Sequence, residues 1–145
     1  MALAAKPRYE KSWPYGGSHR APLALDWPAA DANKVWAVGL NSAGAVVKGA
    51  GQTGVVGLLI VPLGTTPEGD PLYPPDAGTP VDIMINGEIG NFLKTNSAGV
   101  VSAPAAGKKY YAHADGSVDD VATAGVLAGW TVEASRLCVH FQAAP

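Results

Sequence analysis

A chain of 145 residues is the length of one ordinary domain, long enough to bury a real core and too short for two independent ones. Its formal net charge of −2, with basic residues scattered along the chain, excludes the basic stripe by which a nucleic-acid binder displaces counterions from phosphates. Hydrophobic residues make up 48% and charged residues only 15%, which leaves a surface of small, nearly neutral side chains suited to contact with another protein, and the single cysteine, Cys138, excludes an internal disulfide.

Residues 1–33 differ from the rest. Pro7, Pro14, Pro22 and Pro28 are spaced among Tyr9, Trp13, Tyr15 and Trp27, with Lys6, Arg8, Glu10, Lys11 and Arg20 between them. Proline removes a backbone donor and fixes an extended φ, so the segment reads as an arm, neither helix nor inner strand. Its aromatic residues are too many for a solvated tail and need a surface to bury against, in their own domain or in a neighbouring subunit. The first six residues lack an apolar run of signal-peptide length, and the longest apolar stretch, residues 55–61, is too short to cross a bilayer as a helix. The sequence is therefore expected to be soluble and made in a cytoplasm, with no membrane partner.

From Val35 onward, turn signals recur at short spacing, as in an all-β domain occupying residues 34–145. Three stretches repeat one plan of turn, short strand, tight loop and longer strand. Asn41-Ser42-Ala43-Gly44 follows a first strand over residues 35–38 and leads through Val46 and Val47, and a break at residues 49–51, to residues 55–61. Asn96-Ser97-Ala98-Gly99 leads through Val100 and Val101 to Tyr110-Tyr111-Ala112-His113. Asp115-Gly116 leads through Val118 and Val121 to residues 126–132. Asn or Asp with Gly supplies the backbone angles of a reversal, and β-branched residues suit a pleated surface. Between the first two units, residues 65–80 hold five prolines and form a loop. Residues 81–85 then alternate and meet Asn86-Gly87, which predicts a hairpin returning over residues 88–93. A short helical turn is placed at residues 119–124, capped by Asp119. The closing strand, residues 136–141, puts Leu137, Val139 and Phe141 on one face and Cys138 and His140 on the other.

Motifs that carry chemistry are few. Gly49-Ala50-Gly51-Gln52-Thr53-Gly54 spells the dinucleotide fingerprint, but β-like residues follow it where a helix N-terminus is required, so it reads as a loop. Asp115, Asp119 and Asp120 lack the spacing of a calcium loop and read as solvated turn carboxylates, as do Asp70 and Asp76. His19, His113 and His140 show no zinc-ligand spacing, Cys138 sits mid-strand among apolar neighbours, and Ser42, Ser97 and Ser117 belong to turns. Glu88 and Glu133 interrupt apolar runs; a structural pairing is expected for them, with Arg136 in reach of Glu133 if the chain bends. Catalytic, metal and cofactor residues are thus expected to be none.

Three passages carry a family resemblance: residues 81–89 with their Gly87-Glu88-Ile89 ending, Gly107-Lys108-Lys109-Tyr110-Tyr111-Ala112, and Gly125-Val126-Leu127-Ala128-Gly129-Trp130-Thr131-Val132-Glu133 before an Arg136-Leu137 closing strand. Over roughly residues 35–141 the chain resembles the small decoration, or capsid cement, proteins of tailed bacteriophages. That resemblance implies a β-rich domain, and with the strand and arm readings above the expected fold is a compact antiparallel β-sandwich or barrel-like, β-tulip-like domain with an extended N-terminal arm and little helix. The same resemblance implies a non-enzymatic virion protein on the outer capsid surface, a homotrimer at local threefold positions, whose partners are the major capsid protein and neighbouring decoration subunits. Arg8, Tyr9, Trp13, Tyr15, Arg20, Trp27 and Tyr73 are the interface candidates, since aromatic and arginine side chains dominate interface energetics. Two other readings share the sequence features: a head fibre or tail module, and a sugar-binding β-module stacking a saccharide on Trp36, Tyr73 or Trp130. Trp36 and Trp130 lie within apolar strands and are expected in the core.

Overall fold

The computed structural model describes residues 18–62 and 74–141. It is all-β and antiparallel, built as two sheets. In chain order the strands are β1 (Ser18–Pro22), β2 (Val35–Leu40), β3 (Val46–Lys48), β4 (Gly57–Ile60), β5 (Pro80–Met84), β6 (Asn86–Gly90), β7 (Lys94–Thr95), β8 (Val101–Ser102), β9 (Lys109–Ala112), β10 (Val118–Asp119), β11 (Val126–Thr131) and β12 (Arg136–His140). The five-stranded sheet runs β1-β5-β4-β2-β3, and the seven-stranded sheet runs β6-β12-β11-β9-β10-β7-β8.

β2 is the hinge of the architecture because both of its faces are buried. Val35 and Ala37 point into a core shared with the larger sheet, among Leu58, Phe92, Tyr110, Leu137 and Val139. Trp36 and Val38 point the other way, into a second core with Leu23, Trp27, Val46, Leu59 and Ile83. A strand buried on both sides needs a continuous apolar run, which Val35-Trp36-Ala37-Val38 supplies. The outer core is closed by residues 23–32: Leu23, Trp27 and Ala32 are buried, and the Trp27 N–H of the backbone donates to Pro75 O at 3.0 Å.

The expected arm therefore ends earlier than residue 33. Ser18–Pro22 is a strand of the smaller sheet, in register from Ser18 opposite Met84 to Pro22 opposite Pro80, so the folded body includes residues 18–33. Its position at the edge of the sheet is the one that admits a proline. Residues 29–31 form a single 3-10 turn, the only helical element among the described residues. At residues 119–124, where a helical turn was expected, Asp119 Oδ1 accepts from the Val121 N–H at 2.9 Å and Ala124 takes a left-handed φ of 57°. That geometry makes a tight turn into β11, since a left-handed residue ends helical progression.

The Asn86-Gly87 hairpin does not form. β5 already has β1 on one side and β4 on the other, so neither edge is open to a returning strand. The chain bends once at Ile85 and continues as β6, in register with β12 from Asn86 opposite His140 to Gly90 opposite Arg136. Gly87 takes a φ of 137° inside β6, so the glycine serves the crossing between sheets instead of a turn.

Candidate interaction surfaces

The repeated turns share one geometry. Asn41 Oδ1 accepts from the Ala43 and Ala45 N–H groups at 2.9 and 3.0 Å, and Asn96 Oδ1 accepts from Ala98 and Val100 at 3.0 and 2.9 Å. Gly44 and Gly99 sit at φ 78° and 82°. The third turn keeps the backbone pattern, with Gly116 at φ 94°, but starts at His113 and takes its side-chain acceptor from Asp115. Asp115 Oδ1 receives the Ser117 hydroxyl at 2.6 Å and its N–H at 2.9 Å, which holds the carboxyl below the usual range. His113 Nε2 lies 2.7 Å from Asp119 Oδ1. These contacts spend the turn carboxylates on local structure.

Of the interface candidates, Arg8, Tyr9, Trp13, Tyr15 and Tyr73 lie outside the described residues. Arg20 and Trp27 are described and are not brought together into one patch. Arg20, on exposed β1, forms a forked contact with Asp82 of β5 at 3.0 and 3.3 Å. Trp27 is only 5% exposed, covered within its own chain, with Lys48 Nζ 5.8 Å from its ring centroid. The same ammonium lies 4.0 Å over Trp36 and pairs with Asp31, so one lysine ties residues 27–31 to β2. Trp36 is buried as expected, and its indole N–H donates to Asp31 O at 3.0 Å.

Trp130 departs from expectation: it is 44% exposed. The register shift between Leu127 and Gly129 is a bulge that puts Ala128 inward, and Thr131 then turns in to donate its hydroxyl to Ala105 O at 2.6 Å. Trp130 is left on the outer face, opposite Cys138, which is itself opposite Glu88. His140 stacks obliquely on it at 6.2 Å and bonds Asn86 through Nδ1 at 3.1 Å. Beside them Arg136 bridges Glu88 at 3.8 Å and Glu133 at 3.4 Å, the pairing expected from a bend before β12. On its other side Trp130 is opposite Lys109 of β9, which is exposed.

A second surface lies at the seam between the sheets. Ile60, Leu93 and Val101, each between 38% and 42% exposed, line a shallow groove of about 120 Å³ with Ile89 and Gly90. Leu93 also borders a groove of about 390 Å³ that continues past Phe92, Ala103 and Pro104. Ile60, Leu93 and Val101 form an apolar ridge between the two grooves, the smaller of which Asn33, Lys34 and Asn91 also line. The ridge residues come from β4, β8 and the β6–β7 connection, so their adjacency depends on sheet order and carried no signal in the sequence. Among the described residues no three His, Cys, Asp or Glu side chains gather as a metal site, and no helix is long and apolar enough to cross a membrane.

No family model matches the chain, and no curated protein matches it. Among solved structures, it is similar to a chain described as Mycobacterium phage Patience, with a TM-score of 0.79 and 29% sequence identity over 99% of both chains. The likeness runs the whole length of a bacteriophage protein and supports a phage origin for this one.

Proposed function

We propose that the protein is a non-enzymatic structural component of a phage particle that binds the outer capsid surface and strengthens the shell, as a homotrimer at local threefold positions with its N-terminal segment reaching neighbouring subunits. The observation that carries this reading is the full-length likeness to a phage protein. The apolar ridge at Ile60, Leu93 and Val101 supplies a contact surface of the kind such a role requires. Shell attachment repeated by symmetry gives avidity from modest individual contacts, so no single deep pocket is needed. A head fibre or tail module would share the fold and bind elsewhere on the particle.

The test is addition of purified protein to expanded heads that lack it. Saturating occupancy on the outer shell, with a rise in the temperature at which heads rupture, is expected. Binding to tails or to a single vertex, or heads that rupture unchanged at full occupancy, would refute the reading.

A further inference from the structure

We propose that the groove between β3 and residues 25–31 is a docking site for an extended segment of another protein, which adds as a strand at the open end of β3, seats an apolar side chain beside Leu25 and pairs a basic one with Asp26. The backbone of β3 shows where its edge is free. Asn41 N–H donates to Ala45 O at 2.9 Å and Gly49 N–H to Ala37 O at 2.8 Å, so positions 45, 47 and 49 face β2 while the peptide groups of Val46 and Lys48 turn outward. The chain covers only the first of these two. Leu23 bridges Val46 in parallel, and Ala24 N–H donates to Val46 O at 3.0 Å. Beyond Ala24 the backbone turns away from β3, and Trp27 N–H donates to Pro75 O at 3.0 Å. Among the described residues, the strand paired with Lys48 is β2, and β3 is the edge of its sheet. An uncovered edge beside a cleft is the arrangement by which a sheet takes up an extended peptide.

The cleft has the room and the charge for such a partner. Its volume is about 320 Å³, and Leu25, Trp27, Pro28, Val46 and Val47 supply its apolar lining. Leu25 is 74% exposed there, the most exposed large hydrophobic side chain of the described residues. Of the charged groups that line the cleft, Lys48 is already paired with Asp31 and held over the rings of Trp36 and Trp27. Asp26 is not neutralised: its Oδ1 accepts from Ala77 N–H at 2.8 Å, and no cation pairs with it among the described residues. The cleft therefore keeps one uncompensated carboxylate. That charge selects a basic partner and opposes a second copy, since pairing the groove on itself about a two-fold axis would bring two such carboxylates into one interface.

Docking here is measured in solution, without heads, so it and the shell-binding reading can fail separately. The probe is a blocked heptapeptide, Thr-Arg-Thr-Phe-Thr-Arg-Thr, whose alternation puts Phe and both Arg on one face of a strand. Added to the full chain, it should bind with a dissociation constant of roughly 1 mM or tighter. At saturation it should slow amide hydrogen exchange at Lys48 roughly tenfold, while the amide of Val47, which already faces β2, is unchanged. Asp26→Asn keeps an acceptor for Ala77 N–H and removes the charge, and should weaken binding roughly threefold or more and flatten its salt dependence. Leu25→Ser should weaken binding at least as much with the thermal midpoint unchanged, because the side chain is mostly exposed. Absence of binding at millimolar peptide, equal binding of the peptide with Glu in place of both Arg, or exchange protection elsewhere than at Lys48 would each overturn the proposal. Slow exchange at Lys48 before any peptide is added would overturn it by showing the edge already covered. Self-association of the native chain that Leu25→Ser abolishes would overturn it by giving the groove to a second copy.

Discussion

At the scale of single residues, one acceptor placed inside a turn decides whether a reversal is specified. Asn41 and Asn96 each satisfy two backbone donors that would otherwise face solvent or go unpaired. Asn41→Ala should cost about 1 kcal/mol in chemical denaturation, close to the loss of a helix cap, which works by the same means. Asp115 adds a pH dependence. Its carboxyl is held below the usual range, first by the Ser117 hydroxyl and then by the Ser117 N–H, so its contribution is present above the unfolded value and lost as pH falls through the folded one. The stability difference between the native chain and Asp115→Asn should be constant from neutral to about pH 5 and shrink below about pH 4. A difference that persists undiminished at pH 2 would assign the effect to shape instead of charge. These turns were legible in the sequence because Asn, Asp and Gly act locally. The exposure of Trp130 was not, because it follows from a bulge and a cross-strand partner far away in the chain.

At the scale of elements, local signals named most strands and misjudged one connection. β2, β11 and β12 lie where apolar runs and alternation placed them, and the alternation of β12 gives the observed burial of Leu137 and Val139. Asn86-Gly87 carried the strongest hairpin chemistry in the chain and forms none, because strand β1, drawn from a proline-bearing segment read as an arm, occupies the edge a hairpin would need. Sequence shows which residues favour a turn and not which edges are already taken. The glycine is still required there, for its φ of 137° at the crossing. Gly87→Ala should therefore destabilise the fold by roughly 1–3 kcal/mol, as measured by denaturant midpoint, whereas a solvent-exposed glycine in an ordinary strand would tolerate alanine or gain from it. An unchanged midpoint would show that β6 relaxes to ordinary strand angles without cost.

At the scale of the whole molecule, two sheets bury a common core and leave an apolar ridge where they meet. Ile60 from the smaller sheet, Val101 from the larger and Leu93 from between β6 and β7 become neighbours only once both sheets are docked. Burying about 25 cal/mol per Å² of apolar surface, a ridge of this kind contributes little per subunit but adds across every copy on a shell. Leu93→Asp combined with Val101→Asp places charge where a partner would have to desolvate it, while both positions are exposed enough for the isolated chain to keep its fold. The double variant should retain the thermal midpoint of the native protein to within a few degrees and lose most of its occupancy on heads, roughly tenfold or more at subsaturating concentration. Native occupancy with an intact fold would remove this ridge from the contact surface. The groove beside Leu25, which is more exposed than any residue of the ridge, and the face around Trp130 would then remain as apolar candidates on the described body.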